Sequence, residues 1–186
     1  EYYDGPGGAT EAGTQFGTTA SFGIANAGGQ VVNVMRVPKT TSTMGYVLNP
    51  NAIGNGGGSL LNLYSLVFDV YFPAASSDRN RCLIQIDEPW GNSNDGEFYV
   101  AANNGLGTAA QPQGTVTPDD WHRLVITVDL TASPPTVRKY INGTKVGEES
   151  LADALDGRWA LGTYRALLFT DNAGAFEVAY VNSIQV

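Results

Sequence analysis

The sequence is poor in cysteine, in charge and in long apolar runs. Cys82 is the one cysteine among 186 residues, so the chain forms no internal disulfide. Charged residues make up 15%, well below the roughly 25% of ordinary soluble domains, which disfavours long charged helices. No apolar run approaches the ~20 residues of a transmembrane helix, so we expect no membrane insertion. A chain of this length can bury a core without disulfides, and we expect residues 1–186 to form a single domain.

Basic residues are the scarcer charge. Ten basic residues against eighteen acidic ones give a formal net charge of -8. Such a surface repels phosphate backbones and anionic membranes, which excludes nucleic acid as the expected partner and leaves neutral polymers and cations. The chain starts at Glu1 without a methionine, so we interpret it as a mature protein or a module of a larger exported protein, secreted or at the cell surface. The absence of disulfides favours a bacterial source.

Histidine is as scarce as cysteine, which limits the available catalytic chemistry. A Ser-His-Asp triad would have to use His122, and one histidine with one cysteine cannot form a conventional zinc site. His122 has the same strand parity as Leu124 and Ile126, so we expect it to be structural. Cys82 begins the apolar run Cys82–Ile84, where we expect it to be a buried small hydrophobe.

Alternating apolar residues and glycine-rich turns are abundant. Every second residue of Leu66–Phe72 is large and apolar, and Trp121–Leu130 alternates in the same way. Thr136–Ile141 and Thr144–Gly147 flank Asn142–Gly143, the pair that a type I′ hairpin turn favours. Further strands are predicted at Gln30–Val37, Thr43–Leu48, Cys82–Asp87, Glu97–Ala101, Trp159–Leu161, Ala166–Phe169 and Glu177–Val186. Short strands with almost no helix indicate an all-β sandwich or barrel.

The second half of the chain carries a recognisable pattern. A tryptophan-led strand, Trp121–Asp129, precedes the turn segment Tyr140–Gly143, and Tyr180–Val186 has the form of a closing strand. These features resemble the laminin-G-like and pentraxin-like branch of the concanavalin A-like lectin/glucanase superfamily, and the likeness extends from Leu66 on. The resemblance implies a jelly-roll sandwich of two antiparallel sheets with Trp121 in its core. Members include lectins, adhesion domains, glycosidases and polysaccharide lyases, many of them calcium-dependent, so it does not select an activity.

Catalytic carboxylates are sparse where the resemblance would place them. Glycosidases use two carboxylates facing one cleft, and the glucanase branch carries them on one strand as Glu-x-Asp-x-x-Glu. The nearest match here has Gln85 at the first position, and the neighbours Asp87 and Glu88 point to opposite faces of a strand. A glycosidase would therefore need Asp87 and Glu97 to face a common groove. The C-terminal Tyr-Phe-Lys-Ala-Gly-type motif of alginate-lyase-like enzymes is absent from the sequence.

One loop has the composition of a sugar-binding site. Sugars stack on flat aromatic faces and bind amides and carboxylates through their hydroxyls. Trp90 lies in a Gly/Asn/Ser-rich loop, where it is either an exposed platform or a cap on one end of the sandwich. The predicted carbohydrate-binding residues are Trp90, Asn92, Asn94, Asp95, Asn103 and Asn104.

Calcium is the candidate cofactor, in a structural role. Oxygen ligands are clustered at Asp87 with the loop that follows it, and at Asp171–Asn172 before the last strand. The same residues are also ordinary turn formers. We therefore expect a non-catalytic carbohydrate-binding or adhesion module whose partner is a polysaccharide or glycan. The alternatives are an accessory domain that packs on a neighbouring domain of a parent protein, and a glycosidase or polysaccharide lyase.

Overall fold

The architecture is a sandwich of two antiparallel sheets. A computed structural model describes residues 14–39, 46–48, 50, 54–76, 80–86, 96–108, 111–162, 166–169 and 178–186. The described residues form thirteen strands: β1 (Gln15–Thr18), β2 (Asn33–Val37), β3 (Tyr46–Leu48), β4 (Leu63–Tyr71), β5 (Arg81–Ile86), β6 (Gly96–Val100), β7 (Leu106–Thr108), β8 (Gln111–Gln113), β9 (Trp121–Asp129), β10 (Thr136–Ile141), β11 (Thr144–Ser150), β12 (Ala166–Leu168) and β13 (Ala179–Gln185). A four-residue helix, α1 (Thr19–Phe22), and a 3-10 turn, Ala74–Ser76, complete the described elements.

The strands divide between a seven-stranded and a six-stranded sheet. The first has the order β1-β2-β13-β4-β9-β10-β11, and the second has the order β3-β12-β5-β6-β7-β8. The predicted all-β sandwich is therefore confirmed. The strand predicted at Trp159–Leu161 is wrong, because this segment pairs with its neighbour at Leu161 alone, in an isolated bridge to Leu61. No described helix is long and apolar enough to cross a membrane.

Strand alternation builds the core between the sheets. In β4 and β9 every second side chain is buried, as the period-two pattern predicts. Both sheets contribute large apolar side chains to this core, among them Leu66, Phe68, Val70, Ile84, Ile86, Phe98, Leu124, Ile126 and Val128. The predicted hairpin is also confirmed, because Asn142 (φ 51°) and Gly143 (φ 82°) both adopt the left-handed conformation that a type I′ turn requires.

A second, smaller apolar cluster lies on the outer face of the seven-stranded sheet. Tyr71 and Tyr180 pack edge to face at 5.9 Å, and Trp121 lies 5.7 Å from Tyr71. Phe22 of α1 covers Tyr180 at 5.3 Å. The prediction that Trp121 lies in the core is wrong, because the core-facing parity of β9 belongs to His122 and the residues that follow it at every second position. We call this group, with Val34, the outer cluster.

Candidate functional site

Most of the residues predicted to bind sugar or metal lie outside the described part of the chain. These are Asp87, Trp90, Asn92, Asn94, Asp95, Asp171 and Asn172. The points at which their segments meet the sheet are described. Ile86 ends β5 and pairs with Gly96, which begins β6, so residues 87–95 connect two adjacent antiparallel strands of the six-stranded sheet.

The two candidate calcium clusters begin at opposite ends of one strand pair. β12 pairs with β5 through Ala166↔Ile86 and Leu168↔Ile84, and the Phe169 amide donates to the Leu83 carbonyl. The chain thus leaves β5 at one end of this ladder and leaves β12 at the other. Asp87 and Asp171 accordingly remain two separate predictions. Within the described ranges, no three His, Cys, Asp or Glu side chains come together as a metal site.

Asn103 and Asn104 lie in the turn between β6 and β7, at the end of β6 opposite to Gly96. The Asn103 Oδ1 accepts a hydrogen bond from the Gly105 amide at 3.0 Å, and Asn104 has a φ of 63°. The Asn104 Oδ1 accepts from the Arg81 Nη2 at 2.6 Å. These contacts give both residues a role in holding the turn, and their carbohydrate role stays a prediction.

Arg81 is a fully buried cation that sequence reasoning missed. Its guanidinium lies 4.8 Å from the centre of the Phe72 ring, and its Nη2 also donates to the Ala101 carbonyl at 3.3 Å. A buried charge needs such partners, since leaving water is costly for it. Arg81 lies directly before the predicted strand Cys82–Asp87, and nothing in the sequence there indicates that its side chain is buried. Asn104 therefore serves the stability of this end of the sheet.

A polar row crosses the outer face of the six-stranded sheet. Phe98 and Val100 of β6 face the core, so Glu97 and Tyr99 point to the other side. Gln85 of β5 pairs directly with Glu97, and the Tyr99 hydroxyl donates to the Glu97 Oε2 at 2.6 Å. Gln85 and Tyr99 are buried, whereas Glu97 is partly exposed. We call Gln85, Glu97 and Tyr99 the polar row.

Residues 63–180 match a laminin G family model of the concanavalin A-like lectin/glucanases superfamily. The chain belongs to this superfamily. The resemblance inferred from Trp121–Asp129 and the hairpin is thereby confirmed, and the match begins at the first residue of β4. No curated protein sequence matches the chain.

Solved structures share the fold of this superfamily member at low sequence identity. The Ruminococcus gnavus IT-sialidase CBM40 bound to α2,3-sialyllactose has a TM-score of 0.50 and 12% identity, covering 82% of this chain and 91% of that one. The catalytic domain of the glycoside hydrolase family 131 protein from Coprinopsis cinerea has a TM-score of 0.51 and 15% identity, covering 99% of this chain and 80% of that one. One of these is a glycan-bound domain and the other a catalytic domain, so the shared fold does not choose between binding and hydrolysis.

The polar row offers one carboxylate where hydrolysis needs two. Glu97 is the one Asp or Glu in β5 and β6, and the residue paired with it is the amide Gln85. Glycoside hydrolysis uses a pair of carboxyl groups about 5–10 Å apart. Asp87, the other carboxylate that sequence analysis considered, lies outside the described residues. Glu97, the partly exposed member of the polar row, is suited to accepting hydrogen bonds from hydroxyl groups.

His122 and Cys82 have the structural roles that the sequence predicts. His122 is buried, and its Nε2 lies 3.1 Å from the Thr117 amide nitrogen, which donates to it. Its Nδ1 lies 3.2 Å from the Asn142 amide nitrogen at the hairpin turn. Cys82 is a buried cysteine on β5. Both predictions are confirmed.

Proposed function

We propose that the chain is a non-catalytic carbohydrate-binding module whose site is the outer face of β5 and β6. The observation that carries the proposal is the polar row, in which the partly exposed Glu97 accepts a hydrogen bond from the buried Tyr99 hydroxyl and pairs in register with the buried Gln85. The exposed part of the Glu97 carboxylate can accept hydrogen bonds from sugar hydroxyls, and Tyr99 holds that carboxylate in place. The superfamily and the sialyllactose-bound CBM40 structure support the choice of a glycan as the partner.

Segment 87–95 extends the proposed site. It joins the two strands that carry Gln85 and Glu97, and it contains Trp90, Asn92, Asn94 and Asp95. An aromatic platform beside the polar row would supply the stacking surface that sugar rings need. Structural calcium held by Asp87 or by Asp171 and Asn172 is part of the proposal, as is a location outside the cell or on its surface.

Affinity electrophoresis against plant, algal and microbial polysaccharides tests the proposal. We expect at least one polymer to retard the protein, and Glu97→Gln and Trp90→Ala to abolish the retardation. Glu148→Gln is the matched control, because Glu148 is an exposed glutamate on the other sheet. Retardation that a chelator removes would support calcium at or under the site. No retardation by any polymer, or an equal loss in the control, would contradict the proposal.

An accessory role that does not involve glycans is the second candidate, and one observation favours it. Phe16 is 76% exposed on β1, an edge strand of the seven-stranded sheet. An exposed edge with a large apolar side chain can pair with another protein surface. This candidate predicts that Phe16→Ser weakens packing on an adjoining domain of the parent protein, measured by pull-down of that domain. Unchanged capture by the variant would contradict it.

A further inference from the structure

A hollow of about 420 Å³ lies on the outer face of the seven-stranded sheet, away from the polar row. Asp69 and Arg123 form its floor, Trp121 and the turn at Ala27–Gly28 form its wall, and Asn182 lines its rim. Its volume falls within the roughly 300–1,000 Å³ of small-molecule sites. Ala27, Gly28 and Val32 of this lining belong to segment 23–32, which follows α1 and which we call the covering segment.

The floor of the hollow is a fixed ion pair. Asp69 and Arg123 face each other across β4 and β9, with the Arg123 Nε and Nη2 donating to the two carboxylate oxygens at 2.7 Å each. The Ser183 hydroxyl also donates to Asp69, at 2.8 Å. These hydrogen bonds, the one from Arg123 foremost, hold the pKa of Asp69 below its ordinary value. Arg123 is 60% exposed and retains Nη1 as a donor for a ligand.

The wall of the hollow is held in place before any ligand binds. The Trp121 Nε1 donates to the Ala25 carbonyl at 2.6 Å, which joins the ring to the covering segment. The fully buried Thr19 holds the covering segment at two points, donating its amide to the Val32 carbonyl and its hydroxyl to the Asn26 Oδ1. A preformed site loses less conformational freedom on binding.

Asn182 reaches the rim through an irregularity in β13. Val181 pairs with Val70 and Ser183 with Asp69, so Asn182 is the extra residue of a β-bulge. Bulges re-aim side chains and recur beside binding sites. The Asn182 Nδ2 donates to the Asn33 carbonyl at 2.8 Å, which orients the amide and leaves its Oδ1 as an acceptor.

We infer that this hollow is a second carbohydrate site, selective for an uncharged pyranose unit. Trp121 supplies an aromatic surface, Arg123 a donor, and Asp69 and Asn182 acceptors, which together match the C–H face and the hydroxyls of a sugar. The charges of Asp69 and Arg123 compensate each other, and the net charge of -8 disfavours an anionic ligand. The inference takes its ligand class from the proposed function, but it concerns other residues on the opposite sheet.

Binding of defined tetrasaccharides to the whole chain tests this site. The neutral probes are cellotetraose, mannotetraose and maltotetraose, and the anionic probe is tetragalacturonate. We expect at least one neutral probe to shift the Trp121 indole Nε1 resonance in ¹H–¹⁵N NMR spectra, assigned with Trp121→Phe. Arg123→Ala should weaken that binding by at least about tenfold, because it removes a charged hydrogen-bond donor, and Asn182→Ala, which removes a neutral partner, by about two- to tenfold. Arg138→Ala is the matched control, since Arg138 forms a similar ion pair with Glu148 on the same sheet.

Each outcome separates this site from the polar row. If Glu97→Gln abolishes all binding while Arg123→Ala and Asn182→Ala change nothing, the proposed function stands and the second site is refuted. If the two hollow variants lose a component of binding that Glu97→Gln retains, the second site stands. Binding of tetragalacturonate in preference to the neutral probes, or an unshifted Trp121 resonance with every neutral probe, would also overturn it. Preserved dispersion in the NMR spectra of each variant shows that it is folded.

Discussion

The two sheets share one core but present different outer faces. On the six-stranded sheet, β5 is buried at every position, and its outward residue Gln85 is as inaccessible as its inward neighbours. On the seven-stranded sheet, β4 and β9 alternate between buried and accessible residues, and the outer cluster covers one part of that face while leaving the hollow beside it. A strand covered on both sides loses the period-two signal, whereas a strand covered on one side keeps it.

Two ion pairs of the seven-stranded sheet show the same contrast between an accessible face and a buried one. Arg123 and Asp69 meet on the accessible outer face of the seven-stranded sheet. Lys139 of β10 instead points inward with no exposed surface, where its Nζ donates to Glu149 at 2.9 Å and to the Gln111 carbonyl of the opposite sheet at 2.9 Å. The first pair has solvent as a competing partner, and the second fastens the two sheets together at one edge.

The largest difference in unfolding free energy is expected between substitutions at two neighbouring residues of β4. Phe68 is fully buried and lies edge to face with Phe169 at 6.3 Å, so Phe68→Ala should cost about 3–5 kcal/mol of unfolding free energy through lost burial and the cavity left behind. Val67 points to the accessible face, and Val67→Ala should cost less than about 1 kcal/mol. Urea denaturation measures both, and similar losses would contradict the assignment of faces.

A somewhat smaller loss is expected at the buried ion pair. Lys139→Met leaves the mostly buried Glu149 without its cation, and breaking such a pair should cost about 3 kcal/mol. Lys139→Met/Glu149→Leu removes both charges and should recover most of that loss. Chemical denaturation of the two variants provides the comparison. A double variant as unstable as the single one would show that the pair itself, rather than an unpaired charge, supplies the stability.

The smallest effect is expected at the outer ion pair, and it depends on pH. Because Arg123 lowers the pKa of Asp69 in the folded state, this carboxylate contributes stability above the ordinary aspartate pKa of about 3.9 and loses the contribution as the pH falls through the lowered value. The advantage of the wild type over Asp69→Asn should thus be small at pH 7 and shrink below about pH 4. Denaturation midpoints of the two proteins measured across this pH range test the direction of the effect. A wild-type advantage that grows on acidification would contradict a lowered pKa of Asp69.

Much of the architecture follows from local patterns in the sequence. The strands β4 and β9 and the Asn142–Gly143 turn are predicted because alternation and positive φ are local requirements. The strands β1, β7 and β8 were not predicted. They have three or four residues each, too few for an alternation pattern, and Pro112 lies within β8.

The candidate sites are less predictable because they depend on contacts between distant segments. Trp121 was assigned to the core from its place in a strand pattern, yet its parity is opposite to that of Leu124. Only the packing of α1 and the following segment on the outer face explains why a tryptophan lies there. The pairing of Gln85 with Glu97 likewise depends on the register between β5 and β6, which includes a bulge that neither strand reveals alone.

Mapping a bound glycan onto β5 and β6 tests the central claim most directly. The measurement is a ¹H–¹⁵N NMR titration with an oligosaccharide of the polymer that retards the protein, combined with an assay for new reducing ends. The account predicts shifts centred on the amides of Gln85, Glu97 and Tyr99 and no release of reducing sugar. Unshifted amides in both strands, or release of reducing sugar that Glu97→Gln abolishes, would contradict a non-catalytic site on this face.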